Sequence, residues 1–169
     1  VREAQGPVHA QSNHYRSAEL LNANLELNAT VTEDSYARLI RAEELIQRNL
    51  GHFSAEEAVQ ILSDKFDPIN QRVKGFGNVI AVHTTLSSAV FDPARGRLFM
   101  ASGMGPVSLS SYIEFPLVRE FDESHFLESS YKTLENSSFK KDFPLLAKAE
   151  QKFIEAKEAF EMHNDPKTA

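Results

Sequence analysis

Apolar side chains recur at helical spacing in two stretches of the chain. Over residues 32–50 the apolar residues fall on one side of a helix, and the arginines and glutamates lie mostly elsewhere. This spacing predicts an amphipathic helix, which Thr32 or Asp34 is expected to cap and Gly51 to end. Residues 143–162 repeat the pattern, and we interpret the apolar stripe of that second helix as a packing face rather than a separate partner-binding surface. The stripe consists of Leu146, Ala149, Phe153, Ala156 and Phe160.

A shorter helix is indicated by its N-terminal cap. Ser54 and Glu57 stand three residues apart at the start of an apolar run, which is the spacing of a capping box. In this motif the hydroxyl and the carboxylate each bind a backbone N–H that would otherwise lack a partner at the helix start. We therefore predict a helix from this cap to about Asp64, with a cap worth about 1 kcal/mol.

Strand-forming residues concentrate in the middle of the chain. Residues 79–91 are dense in Val, Ile, Thr and Phe, turn-forming residues occupy 92–96, and residues 97–101 resume an apolar strand. This order predicts a β-hairpin. A further strand is expected over 112–118, and residues 7–15 are typical of an edge strand because they alternate weakly and contain a proline. The mixture of helices and strands predicts an α+β fold.

The composition argues against several classes of protein. A chain of 169 residues with 41% hydrophobic content suits one folded domain and argues against wholesale disorder. Its net charge of −6, from 18 basic and 24 acidic residues, argues against nucleic-acid binding, because phosphate backbones require clustered Lys and Arg. No apolar run is long enough to indicate a membrane span, and no signal peptide is visible. The compartment stays open between cytoplasm and periplasm.

The chain also lacks several familiar reactive motifs. It contains no cysteine, which excludes disulfides, thiolate zinc sites and a cysteine nucleophile within these residues. The six histidines show none of the spacings that bind zinc, and there is no P-loop, dinucleotide fingerprint or GxSxG motif. The sequence therefore predicts neither a metal site nor a cofactor.

Three motifs are informative because of the order in which they occur. Residues 12–15 (Ser-Asn-His-Tyr) come first, and residues 35–38 (Ser-Tyr-Ala-Arg) follow on the long helix. Residues 84–93 (Thr-Thr-Leu-Ser-Ser-Ala-Val-Phe-Asp-Pro) then lead into the hairpin, whose second strand ends near Gly103. Over residues 6–116 this arrangement resembles the C-terminal part of the penicillin acyltransferase family, acyl-coenzyme A:6-aminopenicillanic acid acyltransferase, among the N-terminal-nucleophile amide hydrolases.

The resemblance implies a mechanism and a set of site residues. In that family an N-terminal cysteine, produced by self-cleavage, attacks an amide carbonyl and forms an acyl-enzyme. By match of motif, Asn13 would be catalytic and donate its carboxamide N–H to the oxyanion; the alternative is that it caps a turn. Residues that would bind substrate are His14, Tyr15, Thr85 and Ser87. His14 is expected mainly to brace the loop, and the hydroxyls on the predicted strand face either the acyl pocket or solvent.

The sequence departs from the family pattern at two positions. Val1 has no nucleophilic atom, and His83 lies where fungal members carry an arginine before the late strand. The resemblance therefore implies that a companion chain, or another segment, supplies an N-terminal Cys, Ser or Thr, and that the substrate is a small acyl amide. Ser35 and Arg38 are interpreted as a helix cap and a surface or interface contact.

Together these observations predict part of a layered αββα sandwich of the N-terminal-nucleophile type, completed by another chain or segment. Residues 1–135 would form the C-terminal part of that domain, and residues 136–169 an amphipathic helix and tail. The predicted function is that of one subunit or fragment of an amide hydrolase or acyltransferase, in a heterodimer made by autoproteolysis. Two alternatives stay open: a non-catalytic interaction protein that binds partners through its C-terminal helix, and a stand-alone domain of unrelated fold.

Overall fold

The computed structural model of the protein describes residues 8–24, 29–117 and 132–163. The chain divides into two compact units, residues 1–136 and residues 137–169. The first unit combines helices with antiparallel sheets, so the α+β class predicted from the sequence is confirmed. Its described helices and strands are α1 (Ala29–Arg48), α2 (Ala55–Leu62), β1 (Phe66–Asp67), β2 (Arg72–Val73), β3 (Ala89–Asp92), β4 (Arg97–Ser102), β5 (Ser111–Pro116) and β6 (Thr133–Leu134), with short 3-10 turns at Leu21–Ala23 and Val107–Leu109.

Helix α1 begins three residues earlier than the sequence predicts. Its first residue is Ala29, so Thr32, Asp34 and Ser35 all lie inside the helix and none of them is its cap. Asp34 instead bonds Arg38 one turn later, with Oδ2 3.0 Å from Nη2. The C-terminal expectation is met, because the helix ends at Arg48 and Gly51 follows with a positive φ of 87°.

The predicted capping box of α2 is present. The Ser54 hydroxyl accepts the N–H of Glu57 at 3.4 Å, and a Glu57 carboxylate oxygen accepts the N–H of Ser54 at 3.0 Å. The helix ends at Leu62, two residues before the predicted end. Its apolar side, represented by Val59, packs against the larger sheet.

The larger sheet contains four antiparallel strands in the order β3-β4-β5-β6. The predicted hairpin is its β3-β4 pair, in which Val90 stands opposite Phe99 and Asp92 opposite Arg97. Side chains of one face form the core with α2, and Phe99 and Tyr112 there are 2% and 0% exposed. The opposite face carries Phe91 and Met100, which are 66% and 43% exposed. One face of the sheet is therefore buried and the other is open and apolar.

In the described residues, one predicted strand is absent and the first strand of the hairpin is much shorter than predicted. Residues 8–15 form bends and extended segments without strand pairing. Most of residues 79–88 are also irregular, because N–H groups in this segment bond carbonyl groups outside any strand. The Ala81 N–H donates to the carbonyl of Asp64 at 3.0 Å, and the Thr85 N–H donates to that of Val82 at 2.9 Å. Val79 and Ala81 are buried all the same, which explains why this loop has the composition of a strand.

The second unit contains α3 (Ser137–His163), which includes the helix predicted over residues 143–162. Two residues of its apolar stripe, Phe153 and Phe160, are 63% and 71% exposed. None of the helices in the described residues combines the length and apolar character that crossing a membrane requires.

Candidate functional site

The main cavity of the described chain lies between the segment around Asn13, the first half of α1 and the loop at residues 77–84. Its volume is about 580 Å³, and its lining mixes apolar side chains with carboxamide, imidazole, hydroxyl and guanidinium groups. Its polar lining includes the side chains of Asn13, His14, Asp34, Ser35 and Arg38. A cavity of this size suits a small organic molecule.

The hydroxyl of Ser35 connects the Asn-His segment to α1. Its Oγ lies 2.9 Å from the Ser12 hydroxyl and 2.8 Å from Nδ1 of His14, and it accepts the backbone N–H of Asn13 at 3.0 Å. Ser35 is 4% exposed, so these contacts are shielded from water. Three consecutive residues are thus held by one oxygen atom on α1.

His14 is fixed on two sides. Besides its bond to Ser35, its ring stacks on that of Tyr36 with centroids 4.0 Å apart and planes inclined by 29°. Burial lowers the pKa of His14, and the positive charges of Arg16 and Arg38 lower it further, so the imidazole is neutral at physiological pH. His14 Nε2 is buried and has no hydrogen-bond partner among the residues that the structure describes. These contacts hold the imidazole ring against α1.

The side chain of Asn13 is one of the polar groups at this site. Its backbone N–H is bound by Ser35, whereas its carboxamide makes no hydrogen bond with any described residue. The residue is exposed and lines the cavity. Its amide N–H groups are therefore available to an acceptor atom in the cavity.

The loop that forms the opposite wall is tied to α1 by Asp34. Asp34 Oδ1 accepts the backbone N–H of Asn78 at 2.5 Å, while its other oxygen bonds Arg38. The carboxamide of Asn78 in turn donates to Glu33 at 2.7 Å. Asn78 and Gly77 both have positive φ, of 58° and 60°, which gives the loop its tight bend. The position of this wall relative to Asn13 therefore depends on polar contacts with α1.

Sequence reasoning missed the roles of Asp34 and Arg38 in this wall. Their separation of four residues on a helix is a recognisable ion-pair spacing, so that contact could have been found. The contact with Asn78 spans 44 positions and has no local signature.

Three of the sequence-predicted site residues do not line this cavity. Tyr15 is half-exposed and its backbone N–H and C=O both bond the side chain of Asn24, at 2.7 and 3.0 Å. The Thr85 hydroxyl donates to the Val82 carbonyl at 2.8 Å, and Ser87 is exposed to solvent. The structure thus brings Asn13 and His14 together at the cavity and places the other three outside its lining.

Among the residues that the structure describes, no group of three or more His, Asp or Glu side chains is arranged to hold a metal ion.

The fold is thus a mixed α+β unit whose main cavity is bordered by an unengaged carboxamide, a buried neutral imidazole and an ion pair. The family model of acyl-coenzyme A:6-aminopenicillanic acid acyl-transferase matches residues 1–105, which include every residue that lines the cavity. This match covers well over half of the chain, so the chain belongs to that acyltransferase family. Comparison with curated proteins and with solved structures finds no match.

Proposed function

We propose that this chain supplies one part of the active site of an N-terminal-nucleophile amide hydrolase or acyltransferase, and that Asn13 is its oxyanion donor. The observation that carries the proposal is the carboxamide of Asn13, which makes no hydrogen bond with a described residue and lies beside a cavity of about 580 Å³. Preorganised donors of this kind stabilise the negative charge that develops on a carbonyl oxygen under attack. Family membership supplies the reaction class, acyl transfer, in which such a charge develops.

In the proposed reaction a nucleophile from a companion chain attacks the carbonyl carbon of a linear amide. The carbonyl oxygen becomes an oxyanion and accepts an N–H from the Asn13 carboxamide. The C–N bond then breaks, the proton of the nucleophile passes to the departing amine, and an acyl-enzyme remains. Water or a second amine takes the acyl group in the next step. Whether hydrolysis or transfer dominates depends on which of these two acceptors reaches the acyl-enzyme.

The hydroxyl groups near Asn13 favour a nucleophile from outside this chain. Ser35 is the hydroxyl paired with an imidazole, but it is buried and its oxygen already has three partners. A nucleophile must be able to reach its substrate, so Ser35 is poorly suited to attack. With no cysteine in the sequence, a companion that carries an N-terminal Cys, Ser or Thr best accounts for the arrangement.

The open face of the sheet also supports a companion. Phe91 and Met100 project from the face opposite α2 and are largely exposed. A sheet that is apolar on both faces is typical of one covered on both sides. We propose that the companion contributes the second sheet of an αββα sandwich on this face. Tyr15, Thr85 and Ser87 remain candidate substrate contacts only if that companion extends the binding site beyond the present cavity.

The second candidate function is that of a non-catalytic interaction protein. It is favoured by α3, where Leu145, Phe153 and Phe160 are each more than 60% exposed. Intact-mass analysis of the purified natural protein separates the two functions. A co-purifying fragment with an N-terminal Cys, Ser or Thr supports the enzyme, and a lone stable chain of 19.0 kDa supports the interaction protein.

Replacing Asn13 by alanine in the complete protein tests the catalytic proposal. We expect kcat to fall about 100-fold or more, because removal of one oxyanion donor costs about 10²–10³ in turnover. Folding should be nearly unchanged, since the carboxamide makes no hydrogen bond with a described residue. The matched control is Asn49→Ala, which removes a carboxamide that bonds the Leu45 carbonyl and does not line the cavity. A decrease below threefold for Asn13→Ala would remove the assignment.

A further inference from the structure

We propose that Ser35 is a positioning residue, whose hydroxyl sets the place of the Asn13 carboxamide at the cavity. This inference rests on the proposed oxyanion role of Asn13. It adds that a buried oxygen atom on α1, Oγ of Ser35, controls the position of the Asn13 carboxamide. Ser35 itself would not touch the substrate.

The bonding capacity of the Ser35 hydroxyl is completely used. A hydroxyl has one proton to donate and two lone pairs that accept. The backbone N–H of Asn13 occupies one lone pair, and His14 Nδ1 and the Ser12 hydroxyl share the remaining lone pair and the proton. Either tautomer of His14 satisfies all three contacts. Because its hydroxyl has no further hydrogen-bonding capacity, Ser35 is suited to holding residues 12–14 rather than to reacting with a substrate.

The position of the Asn13 side chain depends on how its backbone is held. Its carboxamide has no partner among the described residues, so its location follows from its own backbone. That backbone is bonded to Ser35, and so are the residues immediately before and after it. Without the hydroxyl, the three bonds are lost together. The bonds from Gln11 to the Ser12 and His14 carbonyls and the stacking of His14 on Tyr36 remain, so the backbone that carries the carboxamide is held less firmly.

The helix provides a firm base for this contact. Ser35 lies within the 20-residue α1, away from both ends, and the next residue, Tyr36, stacks on His14. The loop that forms the opposite wall of the cavity is also bonded to α1, through Asp34. One helix therefore sets the distance between the carboxamide and the facing wall.

A matched serine elsewhere in the chain separates positioning from general stabilisation. Ser63 is 5% exposed; its hydroxyl donates to the Ser108 carbonyl at 2.7 Å and accepts from Asn136 at 2.7 Å. It resembles Ser35 in burial and bonding but does not line the cavity. Ser35→Ala and Ser63→Ala should both reduce stability, and only the former should disturb Asn13.

The experiment compares these two variants and Asn13→Ala in the complete enzyme, with short-chain acyl para-nitroanilides as probes. For Ser35→Ala we expect kcat per folded molecule to fall about 10- to 100-fold with KM changed less than threefold, because small misplacements of catalytic groups have effects of this size. Ser63→Ala should keep kcat within threefold. Amide hydrogen exchange should show lost protection at the Asn13 N–H in Ser35→Ala and unchanged protection in Ser63→Ala.

The outcomes distinguish this inference from the proposed function. If Asn13→Ala lowers kcat 100-fold while Ser35→Ala keeps it within threefold, the positioning role is overturned and the oxyanion role stands. Unchanged protection of the Asn13 N–H in Ser35→Ala overturns the positioning role without reference to activity. If Asn13→Ala itself keeps full activity, the oxyanion role fails, and the catalytic meaning of Ser35 fails with it.

Discussion

The cavity region and the sheet region of this protein are stabilised in different ways. The cavity region comprises residues 8–24, α1 and residues 64–84, and the sheet region comprises α2 with strands β3 to β6. In the cavity region, single polar side chains such as Ser35 and Asp67 each bond three or more groups. In the sheet region the central contacts are apolar and fully buried.

This difference separates the determinants of activity from those of stability. The geometry around Asn13 depends on a few polar atoms with defined directions, so one substitution there should change function more than folding. Burial of apolar area is not directional, and its loss in the sheet region should change folding without changing the site in molecules that remain folded.

The largest expected effect on stability comes from Phe99→Ala in the sheet region. Phe99 is 2% exposed in the core with α2, so its truncation leaves a cavity and should lower the free energy of unfolding by about 3–5 kcal/mol. Denaturation with urea measures the change. Phe91→Ala is the matched control on the open face, where we expect a change within about 0.5 kcal/mol for the isolated chain. Equal losses for the two variants would contradict the division of the sheet into a buried and an open face.

A smaller effect, dependent on pH, is expected from Asp67 in the cavity region. Burial alone would raise the pKa of Asp67, but bonds from Lys74, Asn70 and the Ile69 N–H outweigh it and hold the pKa well below its usual value. A lowered folded-state pKa stabilises the protein above the unfolded-state pKa, and that contribution is lost as the pH falls below about 4. Asp67→Asn should be less stable at pH 7 by about 1–3 kcal/mol. The stability of this variant should also fall less steeply on acidification than that of the unmodified protein, and thermal unfolding between pH 7 and pH 3 measures both. Parallel plots of stability against pH for the two proteins would contradict the account.

The smallest expected effect comes from Ser54→Ala, which removes the polar cap of α2. The Glu57 N–H loses its acceptor, and the free energy of unfolding should fall by about 1 kcal/mol. Urea denaturation measures this change. The control is Ser102→Ala, which replaces an exposed serine of β4, so the difference between the two variants gives the free energy contributed by the cap. A loss as large as that of Phe99→Ala would show that the sheet region also depends strongly on single polar contacts.

Local signals were sufficient to predict much of the sheet region. The capping box of α2 depends on two residues three apart, and the hairpin on a turn between two apolar runs, so short segments of sequence contain both. The α+β class followed from the same elements.

The cavity region could be predicted only in part, because its contacts are distant in sequence. Asn13 and His14 were identified through a motif, but the hydroxyl that holds them is more than 20 positions away. Thr85 and Ser87 were selected by strand alternation, and that rule does not apply because residues 85–88 are irregular. The apolar residues Val79 and Ala81, earlier in the same loop, are buried, and periodicity alone does not distinguish a buried loop from a strand.

The most direct test of the oxyanion role is a structure of the complete enzyme with its nucleophile trapped as a tetrahedral adduct by an aldehyde or boronate inhibitor. Our account predicts that Nδ2 of Asn13 lies about 2.7–3.1 Å from the oxyanion of the adduct. A carboxamide turned into bulk solvent, with the oxyanion bound by other donors, would contradict it.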